Sequence, residues 1–142
     1  MSEVDQSVVA LLDAYRAAVL AKDVEAFLAL YDEDVRVFDT WGRWSYDGRG
    51  AWGQAAQEWL GGLGDERVAV EVEDVRAIAA EDVAIVHLLV AYAAISPAGD
   101  ELRRMTNRLT WGLRRAGGSW RIVHEHTSAP VDPATGTAIL GR

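Results

Sequence analysis

Trp120-Arg121-Ile122-Val123-His124-Glu125-His126-Thr127-Ser128-Ala129-Pro130 is the stretch whose reading decides the fold of this 142-residue chain. It begins as a strand and ends at a proline, which has no N–H to continue a ladder. Ala116-Gly117-Gly118 precedes it as a turn, so the segment from Leu102 to Arg115 reads as the strand before it. Two of the three histidines, His124 and His126, lie here two residues apart and therefore share one face of the strand.

Upstream of this pair the same period continues. Val68, Val70 and Val72 alternate with Ala69, Glu71 and Glu73, which suggests a sheet with one wet face. Asp74-Val75 breaks that alternation and marks an expected bulge or bend. Val83 to Ile95 is a long apolar β-rich run, and Ser96-Pro97-Ala98-Gly99-Asp100 is a turn. Before residue 61 the period is 3.6. Val8, Leu11, Leu12, Tyr15, Ala18 and Val19 predict a helix from about Asp5 to Ala21, with a capping box at Ser2 and Asp5 as an earlier start. Asp23 caps a short second helix carrying Phe27 and Tyr31, and Ala51 to Leu60 form a third, ended by Gly61-Gly62-Leu63-Gly64. Val35 to Asp39 is a strand candidate, Trp41 to Gly50 an aromatic, glycine-rich loop, and Asp32-Glu33-Asp34 a solvated helix end. Helices first and antiparallel strands after predict an α+β class and one domain over residues 1–142, with an irregular tail from 129 to 142.

The totals narrow the function. Fourteen basic residues against 22 acidic ones leave a net charge of -8, which repels phosphate backbones and anionic lipid, so neither nucleic acid nor membrane is an expected partner. The absence of cysteine removes disulfide and thiolate chemistry. The start of the chain lacks the features of a signal peptide, so the expected location is cytoplasmic. No dinucleotide or phosphate loop is present, and no cofactor is expected.

Two windows resemble known families. Ala14-Tyr15-Arg16-Ala17-Ala18, Leu28-Ala29-Leu30-Tyr31 and Asp34-Val35-Arg36-Val37-Phe38-Asp39 resemble ketosteroid isomerase. Arg114 through Pro130 is similar to SnoaL-like proteins and to the association domain of calcium/calmodulin-dependent protein kinase II. The resemblance implies the SnoaL-like, nuclear transport factor 2-like superfamily. Its members have a cone-shaped fold, with N-terminal helices on a curved, mostly antiparallel sheet around a small-molecule pocket, often as a homodimer. It also implies roles. Tyr15 falls where the isomerases donate a hydrogen bond to the substrate oxygen, and Asp39 where they move the proton. Counting back from the turn puts Thr110 at the place of their neutral carboxylic acid, with Arg108 two residues earlier on the same face. Alignment to the kinase domain puts His87 where that family has a pocket arginine.

Parity then extends the pocket. If Thr110 faces in, so do Thr106, Arg108, Gly112 and Arg114; on the last strand Val123, Glu125 and Thr127 match, and beside His87 stand Val83, Ile85, Leu89 and Ala91. Trp41 and Trp44 are candidates for a flat aromatic wall, while Trp52 and Trp59 read as packing. Each group also has a plainer reading: Tyr15 a core tyrosine, Asp39 a strand end, His87 a core histidine, Arg108 and Glu125 a buried ion pair. His124 and His126 have metal-ligand spacing, but parity turns them away from Asp39 and Glu125, toward the outer layer beside Trp120 and Ile122.

Two functions follow as expectations. The first is an isomerase or polyketide-cyclase-type enzyme in which Asp39 moves a proton α to a carbonyl. The second is a non-catalytic module that assembles through its sheet and binds a carboxylate ligand through Arg108 and His87.

Overall fold

The computed structural model describes residues 3–142, with side chains from residue 6 onward. The order is α1 (Glu3–Ala21), α2 (Val24–Leu28), β1 (Tyr31–Phe38), β2 (Tyr46–Asp47), α3 (Arg49–Gly61), β3 (Arg67–Ala79), β4 (Val83–Ile95), β5 (Glu101–Ala116) and β6 (Ser119–Ser128). The six strands form one sheet in the order β2-β1-β6-β5-β4-β3. The β1–β6 pairing is parallel and the other four are antiparallel. The architecture is the expected α+β one, with helices covering one face of the sheet. The capping box at Ser2 falls outside the described residues.

Local chemistry sets the helix ends. Asp23 accepts a hydrogen bond from the Ala26 N–H at 3.0 Å and starts α2. Lys22 takes a left-handed φ of 54° at the end of α1, and its ammonium donates to the carbonyls of Gly64 and Glu66. Arg16 donates from Nε to the Val70 carbonyl at 2.8 Å, pinning α1 against β3. Asp32-Glu33-Asp34 lies inside β1, which starts at Tyr31, four residues before the expected start at Val35. Buried Tyr31 and Val35 draw that segment into the sheet while its three acids stay toward water.

Two of the four register shifts in the sheet matter most. The expected bulge at Asp74 is present: Asp74 has a φ of 54° and the β3–β4 register shifts between Glu73 and Arg76. A second shift occurs where Gly112 pairs with His124 but Leu113 pairs with Ile122, leaving Val123 as the extra residue. It reverses the facing of β6 halfway along. Trp120 and Ile122 are buried before it, Glu125 and Thr127 after it. Trp120 and Ile122 therefore belong to the core, not to the outer layer where uninterrupted parity placed them.

The core joins helices to sheet through aromatic rings. Phe27 lies 5.5 Å from Tyr15 and 5.1 Å from Tyr31, and Tyr15 meets Trp111 edge-on at 5.5 Å. The tail is less loose than its composition suggests. Val131 bridges Ala138, the Leu140 carbonyl accepts from the Thr106 N–H at 2.8 Å, and Arg142 pairs with Glu73.

Candidate functional site

A cavity of about 730 Å³ opens between the helices and the concave face of the sheet. Six aromatic side chains line it: Tyr15 from α1, Trp41 and Tyr46 from the segment after β1, Trp52 and Trp59 from α3, and Tyr92 from β4. Its polar groups are Asp39, Glu58, Asn107 and Glu125, with Arg103 and Arg104 also on the wall. Size and composition suit a small organic ligand.

Parallel pairing of β1 with β6 builds the acidic part. Val37 stands opposite Glu125 and Phe38 opposite His126, so the next residue, Asp39, comes beside Thr127. Thr127 donates from Oγ1 to Asp39 Oδ1 at 3.0 Å, and the Trp41 N–H donates to Oδ2 at 3.3 Å. Burial raises the carboxyl of Asp39 above its usual range, against the opposing pull of these bonds. Asp39 also borders a second hollow of about 510 Å³ beside Phe38, Arg43 and Trp44.

Glu125 is 1 % exposed. Tyr31 donates to its Oε1 at 2.6 Å and the Trp111 indole N–H to the same oxygen at 2.8 Å. Burial nevertheless pushes its carboxyl up to about 7, which poises it to gain or lose a proton at neutral pH. The hydroxyls of Tyr15 and Tyr92 lie 2.9 Å apart, and burial raises both far above the ordinary phenol range.

Among the residues singled out from sequence, the structure brings Tyr15, Asp39, Trp41 and Glu125 to the cavity, with Thr127 behind Asp39. Three others lie on the opposite face. His87 and Arg108 are exposed and Thr110 is half-buried; their inward neighbours are Val86, Leu88, Asn107, Leu109 and Trp111. Arg108 donates to Ser128 Oγ at 3.0 Å. The reason is bulk: one face of β4 and β5 must exclude water, and the set containing Trp111, Leu109 and Leu113 does so, whereas a face with Arg108 and Arg114 would bury unpaired cations. Val83 and Ile85 turn outward with His87, and Thr106, Gly112 and Arg114 leave the pocket set with Arg108. Trp44 is 98 % exposed, at the second hollow and not on the cavity wall. Arg108 and His87 therefore do not form a carboxylate site in the cavity.

His124 and His126 do turn away from Glu125. Their rings pack edge-on against Phe38 at 5.1 and 5.6 Å, and His124 Nδ1 lies 2.7 Å from the Arg36 carbonyl.

Sequence reasoning missed Tyr31, Tyr92, Asn107, Trp111 and Leu140. Tyr92 was legible in principle, since it shares parity with Val86, Leu88 and Val90. Nothing local could have placed Leu140, which reaches the cavity only because the tail folds back onto β5.

The model of the SnoaL-like domain matches residues 8–132. The chain belongs to the SnoaL-like family. Solved structures agree. A nuclear transport factor 2-like protein of unknown function from Pseudomonas putida KT2440 is 28% identical, with 100% of this chain and 98% of that one covered and a TM-score of 0.85. Aln2 from a Streptomyces species is 15% identical over 90% of this SnoaL-like chain and 91% of its own, with a TM-score of 0.79. A candidate calcium/calmodulin-dependent protein kinase II association domain from Xanthomonas campestris is 18% identical over 92% and 89%, with a TM-score of 0.77. At those identities the last two speak to fold alone. Comparison with curated proteins gives no match. No helix among the described residues is long and apolar enough to cross a membrane.

Proposed function

We propose that this protein is a small-molecule enzyme that moves a proton α to a carbonyl, an isomerase or cyclase-type activity. Asp39 is the base: it takes the proton from carbon, and the electron pair of that C–H bond passes through the enolate to the carbonyl oxygen. The proton then returns to carbon at the same or another position. Tyr15, coupled to Tyr92, donates to the developing oxyanion. Glu125 in its neutral form supplies a second donor, the part first sought at Thr110.

The observation that carries this reading is the placement of Asp39. It is a half-buried carboxyl with a raised proton affinity, held by Thr127 and the Trp41 N–H, at the wall of a cavity that also holds the Tyr15–Tyr92 pair and Glu125. A carboxylate in such a setting abstracts protons more readily than an exposed one.

The test is solvent deuterium exchange into 2-tetralone, followed by NMR. The wild-type chain should accelerate exchange, and Asp39→Asn should lower that rate by roughly a hundredfold or more with an unchanged circular dichroism spectrum. An unchanged rate in Asp39→Asn removes the base from Asp39.

We also propose a homodimer through the outer face of the sheet, where Ile78, Val83 and Ile85 are 72 %, 54 % and 53 % exposed. Light scattering reads the mass directly; a monomer at tens of micromolar speaks against it.

A further inference from the structure

The charge of the cavity wall narrows the ligand. Asp39, Glu58 and Glu125 are its carboxyls, and its two cations are already engaged. Arg103 donates to Glu66 at 2.7 Å, and Arg104 to Glu71 and Glu101, each at 2.7 Å. Each of these guanidiniums therefore meets a carboxylate before it meets a ligand. An anion entering the cavity would meet hydroxyl donors, but also these carboxylates, with no free counter-charge among the described residues of the wall.

Among the neutral groups the Trp52 indole N–H is a buried donor without a partner, while the others favour a cation. The six aromatic side chains present ring faces and edges, and a ring face carries partial negative charge. Asn107, 4 % exposed and on the wall, has a side-chain carbonyl oxygen with no hydrogen-bond partner. A buried acceptor without a donor is costly, and a rotation of the amide that turns the oxygen to the cavity lets a ligand N–H remove that cost. The net charge of -8 adds a field that draws cations toward the protein.

We infer that the cavity selects an organic cation, a protonated amine on an apolar, ring-sized body. The ammonium sits among Asp39, Glu125 and the Asn107 carbonyl, and the body lies against the tryptophan and tyrosine rings. This inference rests on the reading of the cavity as a small-molecule site; a cation seated on Asp39 and Glu125 holds the base and the second donor, so it is a competing ligand and not the carbonyl substrate. It requires no turnover.

Three probes of one shape test it by calorimetry at pH 7.5: 2-naphthylmethylamine, 2-naphthalenemethanol and 2-naphthoate. The amine should bind about tenfold or more tightly than the alcohol, with the acid weakest. Asp39→Asn and Glu125→Gln should each reduce the amine-to-alcohol ratio several-fold, and Asn107→Leu should reduce it without lowering the melting temperature of the free protein. Glutamine retains an acceptor for Tyr31 and Trp111; were Glu125→Gln nevertheless to unfold, the Asp39→Asn and Asn107→Leu ratios decide. An alcohol or acid that binds as well as the amine overturns the inference and leaves the small-molecule site standing. A ratio unchanged in all three variants assigns the preference to net charge and overturns it as well. Failure of every probe to bind removes the small-molecule site, and the inference with it.

Discussion

Tyr31 and Glu125, 94 residues apart in sequence, meet at 2.6 Å with the phenol donating to the carboxyl inside the core. That bond, together with the one from Trp111, is what lets a carboxyl stay buried beside the cavity at all.

The buried carboxyl makes stability depend on pH. Its folded-state value, about 7, lies above the reference of 4.5, so the folded state binds the extra proton and the unfolded state does not. The stabilisation is full below 4.5 and is lost as pH rises through about 7. Glu125→Gln, whose amide oxygen still accepts from Tyr31 and Trp111, should flatten this profile. Relative to wild type it should gain up to about 3 kcal/mol between pH 4.5 and 8, read by urea unfolding at both pH values. Parallel profiles for the two proteins would show that Glu125 does not titrate there.

Thr127 holds Asp39 from behind and also accepts from the Thr40 N–H at 2.9 Å. Its bond favours the ionised carboxylate. Thr127→Val should therefore move the rising limb of the exchange–pH profile to higher pH, and cost about 1 kcal/mol of stability. A limb that stays in place, or moves to lower pH, disagrees with Asp39 as the base.

The two faces of β5 should respond in opposite ways. Leu109→Ala opens the core and should cost about 2–5 kcal/mol in chemical denaturation. Its neighbour Arg108, exposed in the protomer and bonded to Ser128, should tolerate alanine within about 0.5 kcal/mol. A large loss for Arg108→Ala would mean that the proposed dimer face extends over β5.

Gly42 fixes the loop that carries Trp41. Its φ is +84°, and a Cβ there would lie 2.5 Å from the Tyr46 hydroxyl oxygen. Gly42→Ala should destabilise by about 1–2 kcal/mol, and adding Tyr46→Phe should restore only part, because the clash is relieved while the left-handed backbone remains strained. Full restoration would mean that the backbone carries no strain.

Much of this protein is local in origin and legible in the chain. The 3.6-residue period of Val8, Leu12, Tyr15 and Val19 builds α1, Asp23 starts α2, and the glycines after Leu60 end α3. The twofold alternation after Arg67 builds the sheet, and Asp74 shows its bulge as a break in that alternation. Tyr15 and Asp39, singled out by their resemblance to an isomerase pair, both line the cavity. Facing was another matter. A strand has two sides of identical local geometry, and only packing decides which one is dry. The bulk of Trp111, Leu109 and Leu113 turned Arg108, Thr110 and His87 outward, and one extra residue at Val123 reversed β6 midway. Glu125 became a buried acid through Tyr31 and Trp111, and Leu140 reached the cavity through a returning tail. Sequence alone determined the helices and the long strands, though not β2 or the early start of β1, because hydrophobic period and capping act within a few residues. Tertiary structure decided which side chains meet, because those contacts join positions that only the closed core brings together.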